Sequence, residues 1–327
     1  MSSESKNVRI AQEKREIFVN GYATPDITRE QLARWADDLT YVSYYSYGYT
    51  MQGELVPIDD ASLIQASYDS GVGPLMVLTP FDENGQYSYE LVRVLFTDPR
   101  VRDRLINNVV MTVTNKNYLG FVFNFGYIAP EDSEEFVVTV AKTAARLNRR
   151  GNLVIVSLTP GINDEGINYE SLGRAANFLE LRMFHWEQVY EAPGPVSPVD
   201  RARELLSVIT AKVNPRAILL GISNYGYVWT LPYGAAAERI SQEEAAERAI
   251  RAGVPVEYDE IVQAPHYSYT TPEGVNQVVW YEDERSVRAK LSLVDEFNLS
   301  GISIWTIMNP FPAAIAAIDE MFLVFKI

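Results

Sequence analysis

Eight short runs rich in β-branched and aromatic residues recur along the chain, at 17–22, 41–47, 74–80, 121–125, 153–160, 178–186, 217–222 and 301–305. Helical spacing of apolar residues is readable between them at 28–36, from 63 onward, at 98–113 and at 134–148, with Thr28 placed as a cap. Strands that alternate with helices along a whole chain predict a parallel sheet, and eight of them predict a single closed (β/α)8 barrel of the α/β class. The chain has 327 residues, and such barrels routinely exceed about 250 as one unit. Residues 233–280 are too long for one loop and helix. They contain a helical stretch at 242–251 and strand-like runs such as 254–258, which predicts a small α+β insertion between the seventh and eighth strands. The expected organisation is a polar arm at 1–16 and a barrel at 17–327.

The fourth run carries the most information. Phe121, Phe123 and Phe125 alternate with Val122, Asn124 and Gly126, a period of two that puts the phenylalanines on one face of a buried strand. The other face turns into the barrel. Tyr127 and Ile128 follow, and Pro130, Glu131 and Asp132 then open a helix, with the two acids expected as caps.

Composition narrows the function classes. There are 28 Lys+Arg against 43 Asp+Glu, a formal net charge of −15, whereas nucleic acid and anionic membrane surfaces both require a basic face. No apolar run reaches about 18 residues, so no membrane span is expected, and 1–16 has no apolar segment of the signal-peptide kind. The absence of cysteine removes disulfides, thiolate catalysis and thiolate metal ligands. Two histidines far apart in sequence, His185 and His266, are a weak metal signal, and neither metal nor cofactor is expected.

Several segments resemble the family 18 glycoside hydrolases, in the branch of spore-cortex and coat N-acetylglucosaminidases. These are Val19 to Tyr22, the run Pro74 to Pro80, Asn224 to Tyr227, Trp229 to Tyr233, Tyr281 to Asp283, Ala289 to Leu291, and Trp305 with Pro310 to Pro312. The resemblance spans nearly the whole chain from about Ile17. It implies a (β/α)8 barrel, a site at the C-terminal ends of the strands, amino-sugar polymers as ligands and an association with spores. The fourth strand of that family reads D-x-x-D-x-D-x-E. Laid on it, the acidic positions fall on Leu119, Val122, Asn124 and Gly126, none of which is a carboxylate. The family's sixth-strand tyrosine and carboxylate, which hold the substrate's N-acetyl group, are Phe184 and His185 here, with Arg182 before them and Trp186 retained. After the seventh strand, Tyr227 and Trp229 are kept around Val228, where the family has an aspartate, and Ile304 replaces an aromatic beside Trp305.

Family 18 chemistry uses the substrate's own acetamide as nucleophile, yet it still needs a protonated glutamate to reach the leaving oxygen. Glycine has no side chain, and asparagine has no proton to give at any working pH. Losing a general acid costs on the order of 10²–10⁴-fold. Glu131 and Asp132 are expected at the helix start. Glu180 lies two residues before Arg182, so the two are expected to face inward as an ion pair, and Glu282 and Asp283 are expected to be structural. The aromatics Tyr47, Tyr127, Trp186, Tyr225, Tyr227, Trp229 and Trp305 are expected around the barrel mouth, where flat faces stack on sugar rings.

Two readings follow. In one, the chain is a catalytically inactive relative that binds polymers containing N-acetylglucosamine. In the other, the pocket is remodelled for new chemistry. There His185, desolvated among Val122, Gly126, Val228 and Ile304, stays neutral at pH 7 and acts as general base on a small apolar or aromatic substrate. Lost carboxylates with retained aromatics favour the first. The pocket residues shared by both are Val122, Asn124, Gly126, Tyr127, Arg182, Phe184, Trp186, Tyr227, Val228 and Trp305.

Overall fold

The computed structural model describes residues 14–126, 128–161, 166–184 and 192–327. Eight parallel strands form the barrel: Arg15–Ala23, Tyr41–Tyr49, Gly73–Leu78, Gly120–Gly126, Leu153–Leu158, Phe178–Arg182, Ile218–Ser223 and Gly301–Trp305. Neighbours pair in that order, and the first closes on both the second and the eighth. A short strand at Leu55–Val56 extends the second strand, and Phe322–Val324 pairs with the start of the first. This is the (β/α)8 architecture expected from the alternation of strands and helices.

The alternation in the fourth strand sorts as expected. Phe121, Phe123 and Phe125 point outward and pack edge-to-face on one another, with ring centroids 4.7 and 5.7 Å apart. Phe123 and Phe125 meet Phe136 of helix Ser133–Leu147 at 6.0 and 5.6 Å. Val122 points the other way, into an interior layer with Tyr22, Tyr41, Leu75, Val77, Ile155 and Leu219. One strand therefore supplies both the barrel interior and the helix-facing core, because successive side chains take opposite faces.

Helix starts follow local capping chemistry. Thr28 and Gln31 form a capping box, and Asp98 caps Pro99–Asn115, whose proline at the first turn needs no donor. Asp132 does not cap. It is buried and takes a 2.7 Å hydrogen bond from Arg93, correcting the expectation of a helix-start role. A partner brought in from helix Tyr89–Thr97 outcompetes the local amide.

A second, antiparallel sheet stands between the seventh and eighth barrel strands. Its order is Glu238–Ser241, Tyr225–Thr230, Asn276–Trp280, Ala264–Thr270 and Glu257–Asp259, covered by helix Gln242–Ala252. The sheet takes in Tyr225–Thr230, ahead of the start at 233 read from the sequence. Its junction with the barrel holds a fully buried ion pair, Lys290 Nζ to Glu282 Oε2 at 2.6 Å, with Ser286 Oγ also donating to that carboxylate at 2.7 Å. Asp283 caps the following helix, so this acidic pair is structural as expected.

Candidate functional site

The C-terminal ends of the barrel strands converge on one hollow. At its base lies Glu180, fully buried on the sixth strand. Oε1 accepts from the Tyr22 hydroxyl at 2.9 Å and from Ser157 Oγ at 2.7 Å, and Oε2 accepts from Asn20 Nδ2 at 3.2 Å. Asn20 Oδ1 in turn accepts from Ser43 Oγ at 2.9 Å. Burial raises the pKa of this carboxyl, against the opposing pull of Ser157, Arg182, Tyr22 and Asn20. Burial, together with the Glu180 charge, pushes the Tyr22 phenol well above its ordinary range. The expected Glu180–Arg182 ion pair does not form. Three donors from other strands occupy the carboxylate, and Arg182 reaches upward instead.

Arg182 ends the sixth strand, and its stem and tip are bordered by glycines. A Cβ on Gly221 would come 3.3 Å from Arg182 Cγ, and a Cβ on Gly126 would come 3.3 Å from its Nη2. Gly126 has φ +72°, a left-handed conformation that suits glycine, beside a register irregularity after Asn124. Asn124 is 4 % exposed. Its Nδ2 donates to Thr79 Oγ1 at 3.0 Å, and its Oδ1 is buried without a hydrogen-bond partner among the described residues.

The wall above is aromatic. Tyr45 meets Trp305 edge-on at 4.9 Å, and Tyr22 lies 5.3 Å from the same indole. Burial raises the Tyr45 phenol, while Arg182, Thr79 and Asn124 beside it pull the other way. Tyr87 donates to the Phe125 carbonyl at 3.0 Å. Its phenol is pushed up to about 12, chiefly by burial, with Arg182 opposing. Phe184, Tyr225, Tyr227 and Trp229 form the adjoining cluster with Trp280 and Trp305, where barrel and insertion meet. The indole nitrogens of Trp229 and Trp305 are buried without acceptors among the described residues.

The structure thus brings together Val122, Asn124, Gly126, Arg182 and Trp305, with Phe184 and Tyr227 in the adjoining cluster. It moves others out. Val228 is not in the hollow. It alternates with Tyr227 and packs into the insertion's own core with Ile240, Ala245, Tyr267 and Val279. Ile304 faces the helices. Tyr47 is also turned outward, its hydroxyl hydrogen-bonded to Asp60 and to Lys116. A register shift between Tyr44 and Tyr47 turns Tyr47 outward, while Tyr45 keeps the inward face it shares with Tyr41 and lies at the mouth. Tyr22, Tyr45, Thr79 and Tyr87 are site residues that the sequence reading missed. A uniform alternation in 41–47 offers no sign of the shift. His185, Trp186 and Tyr127 lie outside the described residues.

The comparisons with known proteins fit this geometry. Residues 85–309 match the model of the glycosyl hydrolases family 18. The chain is 30% identical over 329 residues to the cortical fragment-lytic enzyme of Bacillus subtilis, covering 96% of this chain and 76% of that protein. It is 28% identical over 311 residues to the putative sporulation-specific glycosylase YdhD of Bacillus subtilis, covering 93% and 74%. The crystal structure of the Bacillus cereus spore cortex-lytic enzyme SleL superimposes with a TM-score of 0.90 at 28% identity, covering 96% of this chain and 76% of that one. The chain belongs to the glycosyl hydrolases family 18.

Proposed function

We propose that this chain is a family 18 barrel without glycosidase activity that binds polymers containing N-acetylglucosamine at its aromatic mouth. The observation that carries this is the state of the acids. Among the described residues of the hollow the carboxylate is Glu180, which is fully buried with both oxygens engaged by Tyr22, Ser157 and Asn20. It has no free position from which to protonate a leaving oxygen. On the strand where the family keeps its acid motif, the inward positions are Val122, Asn124 and Gly126. What remains suits binding: the faces of Tyr45 and Trp305 for a sugar ring, and Asn124 Oδ1 as an acceptor for an acetamide N–H or a hydroxyl. The relatives are named as lytic enzymes and glycosylases of spores, which supports an amino-sugar ligand and an association with spores.

The test has two arms. Release of a fluorescent aglycone from N-acetylglucosaminides between pH 4 and 8 should stay at background. N-acetylglucosamine oligomers should nonetheless shift the tryptophan fluorescence of the chain. Turnover typical of a glycosidase would sink the inactive reading, and the lack of any response to oligomers would sink the binding one.

A further inference from the structure

Arg182 places a cation in the hollow without an ion-pair partner among the described residues, although it is near enough to Glu180 to lower that carboxyl's pKa. Its Nε is buried and makes no hydrogen bond, and its guanidinium forms neither an ion pair nor a hydrogen bond among the described residues. The side chain is half-buried, so a charge has been partly withdrawn from water with no direct ion pair among the described residues, which is costly unless something supplies one. Glu180 feels that charge but does not pair with it, since its oxygens are engaged by three other donors. The tip lies close beside Gly126, where a Cβ would stand 3.3 Å from Nη2. Its surroundings offer one further unpaired donor and one unpaired acceptor among the described residues, Trp305 Nε1 and Asn124 Oδ1. Both atoms are buried, and the Tyr45 and Tyr87 phenols both sense the Arg182 charge. Within a chain of net charge −15, this hollow holds an unpaired cation beside aromatic walls.

We propose that the hollow takes a saccharide bearing a carboxylate, held by Arg182 in a charge-assisted pair, with its ring against Tyr45 and Trp305. This rests on the saccharide reading above and adds the charge of the ligand. A guanidinium matches a carboxylate through two parallel N–H···O bonds, which neither a methionine nor a lysine can form. Asn124 Oδ1 remains to accept from an acetamide N–H or a hydroxyl on the same ring.

The experiment centres on an acid and its ester, which differ chiefly in charge, using isothermal titration of the full chain. The probes are N-acetylmuramic acid, its methyl ester, N-acetylglucosamine oligomers and glucuronic acid, each against the unaltered chain, Arg182→Met and Arg182→Lys. The acid should bind at least about tenfold more tightly than its ester, a gap worth roughly 1.4 kcal/mol. That gap should shrink with added salt, vanish in Arg182→Met and be partly kept in Arg182→Lys. Acid and ester binding alike to the unaltered chain would overturn the proposal without any variant, as would a preference that survives in Arg182→Met. Oligomers bound as tightly as the acid would overturn the charge assignment and leave the amino-sugar reading standing. Glucuronic acid bound through Arg182 while no N-acetylglucosamine ligand binds would do the reverse. Binding of none of the four would end both.

Discussion

Arg182 Nη2 lies 3.3 Å from the point where a Cβ on Gly126 would stand. An acid restored at 126 therefore meets a guanidinium at once. In Asn124→Asp/Gly126→Glu, Arg182 should pair with the new glutamate and hold its pKa below the ordinary carboxylate range, which keeps it ionised when a proton donor is needed. The φ of +72° adds a backbone cost of about 1 kcal/mol for any residue with a side chain. Aryl N-acetylglucosaminide hydrolysis should stay at background in this double variant, with thermal melting a few degrees lower. Glycosidase-level turnover would show that Arg182 does not control the position.

Trp305 forms the wall against which a ring would lie, 4.9 Å from Tyr45 and 5.3 Å from Tyr22. Trp305→Ala should weaken N-acetylglucosamine oligomer binding at least about tenfold, while Trp305→Phe keeps most of it, since a flat face is what the sugar uses. Titration of both variants checks this, and unchanged affinity in Trp305→Ala would move the ligand off the barrel mouth.

Glu180 ties three strands together. In Glu180→Ala, the Tyr22 hydroxyl, Ser157 Oγ and Asn20 Nδ2 would all lose an acceptor inside the barrel. At roughly 1–3 kcal/mol for each buried group left unpaired, the loss should be about 3 kcal/mol or more. Urea denaturation should show it as a lower midpoint at unchanged slope.

Asp38, in the short helix Ala36–Asp38, should make stability depend on pH. Burial, its hydrogen bond to Asp319 and the charges of Asp319 and Asp37 raise its pKa to about 7 from 3.8, with Lys326 opposing. The folded state then binds a proton that the unfolded chain has already released. This contribution to stability is complete below the unfolded value and is lost as the pH rises towards about 7. Asp38→Asn should flatten that fall, so the difference in melting temperature between variant and parent should grow from pH 4 to pH 7 and then level off. A difference independent of pH would show that Asp38 titrates normally.

The sequence by itself determined the barrel, because strand and helix periodicities are local properties of the chain. The same periodicity sorted Phe121, Phe123 and Phe125 outward from Val122 and Asn124, since a period of two needs no knowledge of neighbours. Family-like segments carried the same inference as far as the mouth and Trp305. Only the tertiary structure decided which side chains meet there. A register irregularity in the second strand turned Tyr47 outward and left Tyr45 as the last inward tyrosine at the mouth. The extra sheet turned Val228 into its own core. Tyr22, Ser157 and Asn20, distant in sequence, took the carboxylate of Glu180 and left Arg182 without it. Hydrogen-bond partners are chosen by distance in space among all the groups a fold brings together, and two residues spaced to share a strand face have no prior claim on each other.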